Sequence, residues 1–210
     1  MKHLSAKQAG KREKTLLASL LLSVWGPLAT FIAVTMSQST TQLADFIRRC
    51  VELLALFISW WVFRKLQRKE NYTPKEKAKM EKAAGIGVAA AQGCSGIIML
   101  FLALSRLPDF EPGGNVYLGM AIAFMGLLTN TWFWHRYAWM TREHFNPITD
   151  AQHRLYRAKV LVDISVIAAL SAVAFIPQHP ATRHIDIFGS VVTAFYLMLS
   201  SFRTVQSTRR

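Results

Sequence analysis

The stretch Leu43 to Phe63, LADFIRRCVELLALFISWWVF, has the length and apolarity of a membrane-spanning helix and yet carries Asp45, Arg48, Arg49 and Glu52. An ionisable side chain near the centre of a bilayer costs about 2.5–3.5 kcal/mol on insertion scales, so it is kept mainly where it faces a bundle interior and meets a partner. On a helix Asp45, Arg48 and Glu52 follow one another at i, i+3 and i+7 and share one face, while Leu53, Leu56, Phe57 and Trp60 turn to lipid or to neighbouring helices. This face is the candidate functional centre; the plainer alternative is an Arg48–Glu52 ion pair that only joins helices.

The rest of the chain fits the same setting. Of its 210 residues 52% are hydrophobic and 18% charged, and the mean hydropathy is positive, which is too apolar for an ordinary soluble domain and implies an integral membrane protein. A net charge of +13 would suggest nucleic acid in a soluble chain, but its placement along the sequence argues against that partner. Cys50 and Cys94 both fall in apolar spans, which excludes a disulfide framework or a cysteine metal knuckle and predicts packing roles.

Six stretches have spanning length: Leu16 to Met36, Leu43 to Phe63, Ala83 to Ser105, Val116 to Trp134, roughly Tyr156 to Ile176, and roughly Ile185 to Phe202. The predicted fold is an all-α membrane protein, a six-transmembrane-helix bundle. Residues 1–14 form a basic N-terminal segment, 15–204 the transmembrane domain and 205–210 a short tail. The first span is too long for a secretory signal and lacks a convincing cleavage site, so it reads as a retained helix, kinked by Pro27. The third is rich in Gly and Ala, which let helix backbones approach closely in lipid. The fourth ends in Trp132, Trp134, Tyr137 and Trp139, predicted as an interfacial belt. The fifth contains Lys159 and Asp163.

Basic residues set the orientation, since short cytoplasmic loops carry the excess of Lys and Arg. Counted over alternating segments, 21 of the 25, with Lys159 near the inner end of the fifth span included, fall on one side and only Arg106 and Arg183 on the other, with Arg48 and Arg49 inside the second span. Both termini are therefore predicted to be cytoplasmic, with the Lys75–Lys82 loop against anionic headgroups of the lipid bilayer. The sequon at Asn71 falls on that side and is expected to go unused.

In its charged spans and their spacing the chain resembles the transmembrane domain of the cation diffusion facilitator, or cation efflux, family. The second helix of that family reads as a polar turn, then L-A-D, then a ligand at +3 and an acidic ligand at +7; here these are Leu43-Ala44-Asp45, Arg48 and Glu52. The fifth helix offers a His or Asp followed four residues later by Asp, matched by Lys159 and Asp163, and Asp186 stands near the start of the sixth. The resemblance covers nearly the whole chain, without the family's C-terminal cytoplasmic domain or its histidine-rich loop.

The resemblance implies a secondary transporter that moves a divalent metal cation such as zinc, by proton exchange. It also implies a homodimer in a bacterial inner membrane, with no bound cofactor. Its ion site would be Glu52, Asp163, Arg48, Lys159 and Asp45, with Glu52 and Asp163 as the metal ligands. A tetrahedral zinc site needs four lone-pair donors, and two of the four positions are cationic here; Arg48 cannot be deprotonated and so cannot ligate. Glu52 and Asp163 with two cations make a neutral quartet, in which guanidinium and ammonium stand where a divalent ion would sit. The alternative function is therefore a degenerate, non-transporting relative acting as a membrane partner or regulator. No G-x-S-x-G, HExxH or glycine-rich nucleotide loop is present, so the chain is not read as an enzyme.

Overall fold

The computed structural model of the chain describes residues 6–37, 40–68, 72–105, 116–175 and 180–209; Asn71 and the side chains of Asp45 and Asp186 lie outside the described residues. Among these residues there is no strand. The helices are α1 (Ala6–Ser23), α2 (Trp25–Ser37), α3 (Thr40–Arg68), α4 (Pro74–Ser105), α5 (Val116–Glu143), α6 (Pro147–Phe175) and α7 (Pro180–Arg209).

Local chemistry explains where several of them start and stop. Pro27 has no N–H for the carbonyl of Ser23, and its ring crowds that carbonyl. The break between α1 and α2 falls there, with the Val24 N–H donating to Leu21 O at 3.3 Å and the Leu28 N–H to Val24 O at 3.3 Å. The kink expected from Pro27 is thus found one turn upstream, and α1 and α2 together cover the first expected span.

Helix α4 opens on Thr73-Pro74-Lys75-Glu76, a reciprocal capping box: the Thr73 N–H donates to Glu76 Oε2 at 2.8 Å and the Glu76 N–H to Thr73 Oγ1 at 3.3 Å. Those bonds hold the Glu76 carboxyl below its ordinary range. Helix α6 opens on Asn146, whose Oδ1 accepts the N–H groups of Ile148 at 2.9 Å and Thr149 at 3.4 Å, with Pro147 in the first helical position. The end of α5 is capped from a distance, because the buried Arg12 of α1 donates through Nη2 to Met140 O at 2.7 Å and His144 O at 2.9 Å.

The closest helix pairs are α4 with α7 and α5 with α6; α3 lies on α4, α6 on α7, and α1 and α2 lean on α3. The α4–α7 seam uses the small residues that the sequence suggested. A Cβ at Gly96 would lie 2.9 Å from Ala194 O and 2.9 Å from Met198 Cγ, so an added methyl would have to push the helices apart. Ser201 Oγ donates across the same seam to Ala89 O at 2.6 Å.

At the end of the bundle where α5 closes and α6 begins, Phe133, Tyr137 and Tyr156 form one buried aromatic stack, with Tyr137 and Tyr156 ring centroids 5.4 Å apart and Phe133 and Tyr156 5.1 Å apart. The Tyr137 hydroxyl bonds Ser19 Oγ at 2.8 Å. This corrects the interfacial-belt expectation for Tyr137, which shares its buried helical face with Phe133 and Met140, at i−4 and i+3, while Trp132 and Trp139 point outward. The packing role expected of Cys94 is also corrected, since its side chain is exposed.

Large apolar side chains cover the outer surface, among them Trp25, Phe31, Phe101, Met125 and Phe188. So much exposed apolar area is unfavourable in water and suits a lipid surround. Two of the helices, Pro74–Ser105 and the Ile187–Ser207 part of α7, are by themselves long and apolar enough to cross a membrane.

Candidate ion site

The charged residues of α3 and α6 converge. Arg48 and Glu52, 7% and 6% exposed, are one turn apart on α3, and Arg48 Nη1 donates to Glu52 Oε1 at 2.9 Å. Ser95 of α4 donates to the same oxygen at 3.1 Å, and Lys159 Nζ of α6 lies 3.4 Å from Glu52 Oε2. Both carboxylate oxygens are therefore engaged. The Lys159 ammonium also stands 5.2 Å from the Tyr156 ring centroid, a cation–π contact.

Asp163, one turn beyond Lys159 on α6, takes a different partner: Asn130 Nδ2 of α5 donates to its Oδ2 at 2.7 Å. Its carboxylate lies against Gly126, where a Cβ would be 3.4 Å from Oδ1. The same three cations, Arg48, Arg49 and Lys159, act electrostatically on both Glu52 and Asp163, so the two carboxylates belong to one charged centre.

Of the five residues singled out from sequence, the structure joins Arg48, Glu52 and Lys159 directly and sets Asp163 beside them; the side chain of Asp45 lies outside the described residues. Sequence reasoning missed Ser95 and Asn130. Each is a polar residue in an apolar run, a signal that was available, but which carboxylate each would meet depends on helix packing. It also left out Arg49, whose Nη1 comes within 3.1 Å of the Cβ position at Gly26, beside the Pro27 break.

Among the described residues no group of three or more His, Cys, Asp or Glu is placed to hold a metal ion. Among the described residues the carboxylates at the centre are those of Glu52 and Asp163, short of the four donors that tetrahedral zinc takes.

His153 lies outside the charged centre, near the start of α6. Its Nε2 accepts the Trp134 indole N–H at 3.1 Å, and burial pushes the imidazole pKa down, aided by Arg154, Arg157 and Arg142 and opposed by Asp150. A base whose folded-state pKa lies below its unfolded value of about 6.5 binds fewer protons folded than unfolded. Its contribution to stability is whole above that value and is lost as pH falls below it. The melting temperature should therefore drop more between pH 7.5 and 5.5 for the parent than for His153→Gln, whose amide oxygen can still accept from Trp134. Equal drops would show that His153 does not titrate in this way. Glu81 works in the opposite sense, because burial raises its carboxyl pKa despite the Asn146 hydrogen bond, so the comparison of variants isolates the imidazole.

Compared with known proteins, residues 16–210 match the family model described as the cation efflux transmembrane domain. No curated protein matches the chain. The chain belongs to the cation efflux family, through its transmembrane domain. It is accordingly an integral membrane protein of a cation transporter family, whose members commonly form dimers.

Proposed function

We propose that this chain is a secondary transporter that carries a metal cation across a bacterial inner membrane in exchange for protons, as a homodimer of six-span subunits with both termini cytoplasmic. The observation that carries the reading is the contact between Lys159 Nζ and Glu52 Oε2 at 3.4 Å, in a buried centre where Arg48 and Lys159 already occupy both oxygens of Glu52 and Arg49 adds further positive charge nearby. Adding a cation to a buried centre whose carboxylates are already met by cations is expensive unless a positive charge leaves. Arg48 cannot give up its proton, whereas an ammonium can. Entry of the ion is thereby tied to displacement of Lys159 and release of its proton. A monovalent ion would then replace the departing charge one for one, while a divalent ion would add one more, so zinc should bind more weakly than at a site with four donors.

Cysteine labelling reads the topology: probes at positions 75 and 112 should react from opposite sides, and reaction from one side would refute it. Proteoliposomes carrying a pH-sensitive dye test the transport. Addition of sodium, potassium, manganese or zinc should drive proton movement with at least one of them, and Lys159→Met should abolish it. A second reading, a non-transporting membrane partner or regulator, is favoured by the full engagement of both Glu52 oxygens; it follows if no cation moves protons.

A further inference from the structure

A second cluster of charge lies away from this centre. Between the start of α6 and the end of α7 is a cleft of about 160 Å³, lined by Arg154, Arg157, Arg203, His153, Tyr196 and Ser200 among others. Its one carboxylate, Asp150, is already engaged, accepting from Arg154 Nε at 3.0 Å and from Ser207 Oγ at 3.3 Å. Arg157 and Arg203 are exposed, and among the described residues neither has a carboxylate within ion-pair distance. The cleft therefore presents two uncompensated guanidinium groups, with hydroxyl groups beside them, in a space that holds a phosphate group.

We propose that this cleft binds the phosphodiester headgroup of an anionic phospholipid. Depth and surface favour a lipid over a free anion. Arg157 and Arg203 fall at the boundaries of the fifth and sixth apolar stretches, which start near Tyr156 and end near Phe202, so their guanidinium groups sit at headgroup level. From the cleft an apolar stripe runs outward along α7 through Phe202, Leu199 and Phe195, which are 61%, 46% and 59% exposed and spaced on one helical face. An acyl chain attached to a headgroup in the cleft would lie on that stripe, contacts that a free phosphate lacks.

The test uses the full chain purified in detergent and native mass spectrometry with dioleoyl phosphatidylglycerol and dioleoyl phosphatidylcholine, lipids with the same tails. The glycerol lipid should be retained about tenfold or more over the choline lipid, the joint effect of two arginines. Arg157→Gln with Arg203→Gln should bring the ratio to about one, and the charge-preserving Arg157→Lys with Arg203→Lys should keep most of it. Equal retention of the two lipids by the parent, or an unchanged ratio in the glutamine variant, would overturn the proposal. Displacement of the bound lipid by millimolar inorganic phosphate would also overturn it, assigning the cleft to a free anion. A glutamine variant with a lowered melting temperature is judged by the lysine variant, whose loss of the preference would again refute the site.

Discussion

Arg48→His combined with Lys159→His is expected to create zinc binding that the parent lacks, with an affinity gain of about a hundredfold or more, some 2.7 kcal/mol. The two substitutions remove the two cations that neutralise Glu52 and place an imidazole one turn before each carboxylate, giving His and Glu on α3 and His and Asp on α6. Two imidazole nitrogens and two carboxylates form a donor set suited to tetrahedral zinc. Neither single variant should reach the same affinity, because each leaves Arg48 or Lys159 in direct contact with Glu52. Isothermal titration with zinc measures the gain. Tight binding by the unmodified protein would show instead that the arginine and lysine do not stand in the ion's place.

Glu52→Gln should be strongly destabilising. It leaves Arg48, buried on α3, and Lys159 without the carboxylate that both contact, while Ser95 keeps an amide oxygen to donate to. Removing one partner of a buried ion pair costs about 3–5 kcal/mol in soluble proteins. For a chain of this length that is a fall in melting temperature on the order of 10 °C, readable by thermal melting in detergent. Ser95→Ala, which removes one hydrogen bond and no charge, should cost about 1 kcal/mol. If Glu52→Gln melts with the parent, the charges of the centre are not balanced by the contacts described.

What was legible in the sequence was what local chemistry decides. The apolar runs marked the helices, Pro27 marked the break in the first of them, and the i, i+4 spacing put Arg48 and Glu52 on one face of α3 and Lys159 and Asp163 on one face of α6. Thr73–Pro74 and Asn146–Pro147 prove to be capped helix starts. The partners that required knowledge of neighbouring helices were not legible. Asn130 meets Asp163, and Ser95 meets Glu52, only because α5 packs on α6 and α4 on α3. An aromatic run at the end of an apolar span reads as an interfacial belt whichever way the helix is rotated, and the rotation of α5 is what sends Tyr137 inward and Trp132 outward.

The guanidinium of Arg12 has a consequence for the order in which the chain is put together. Its hydrogen-bond acceptors are the carbonyls of Met140 and His144, separated from it by 128 and 132 positions. During synthesis α1 emerges and enters the bilayer long before those carbonyls exist, so Arg12 must wait in the aqueous or headgroup layer until α5 has been inserted. The segment that is made early is among the last to be locked. A ribosome paused before α5 would hold a nascent chain in which α1 can already lean on α3 but Arg12 still lacks its carbonyls, and closure of the bundle at that end becomes a late step of assembly.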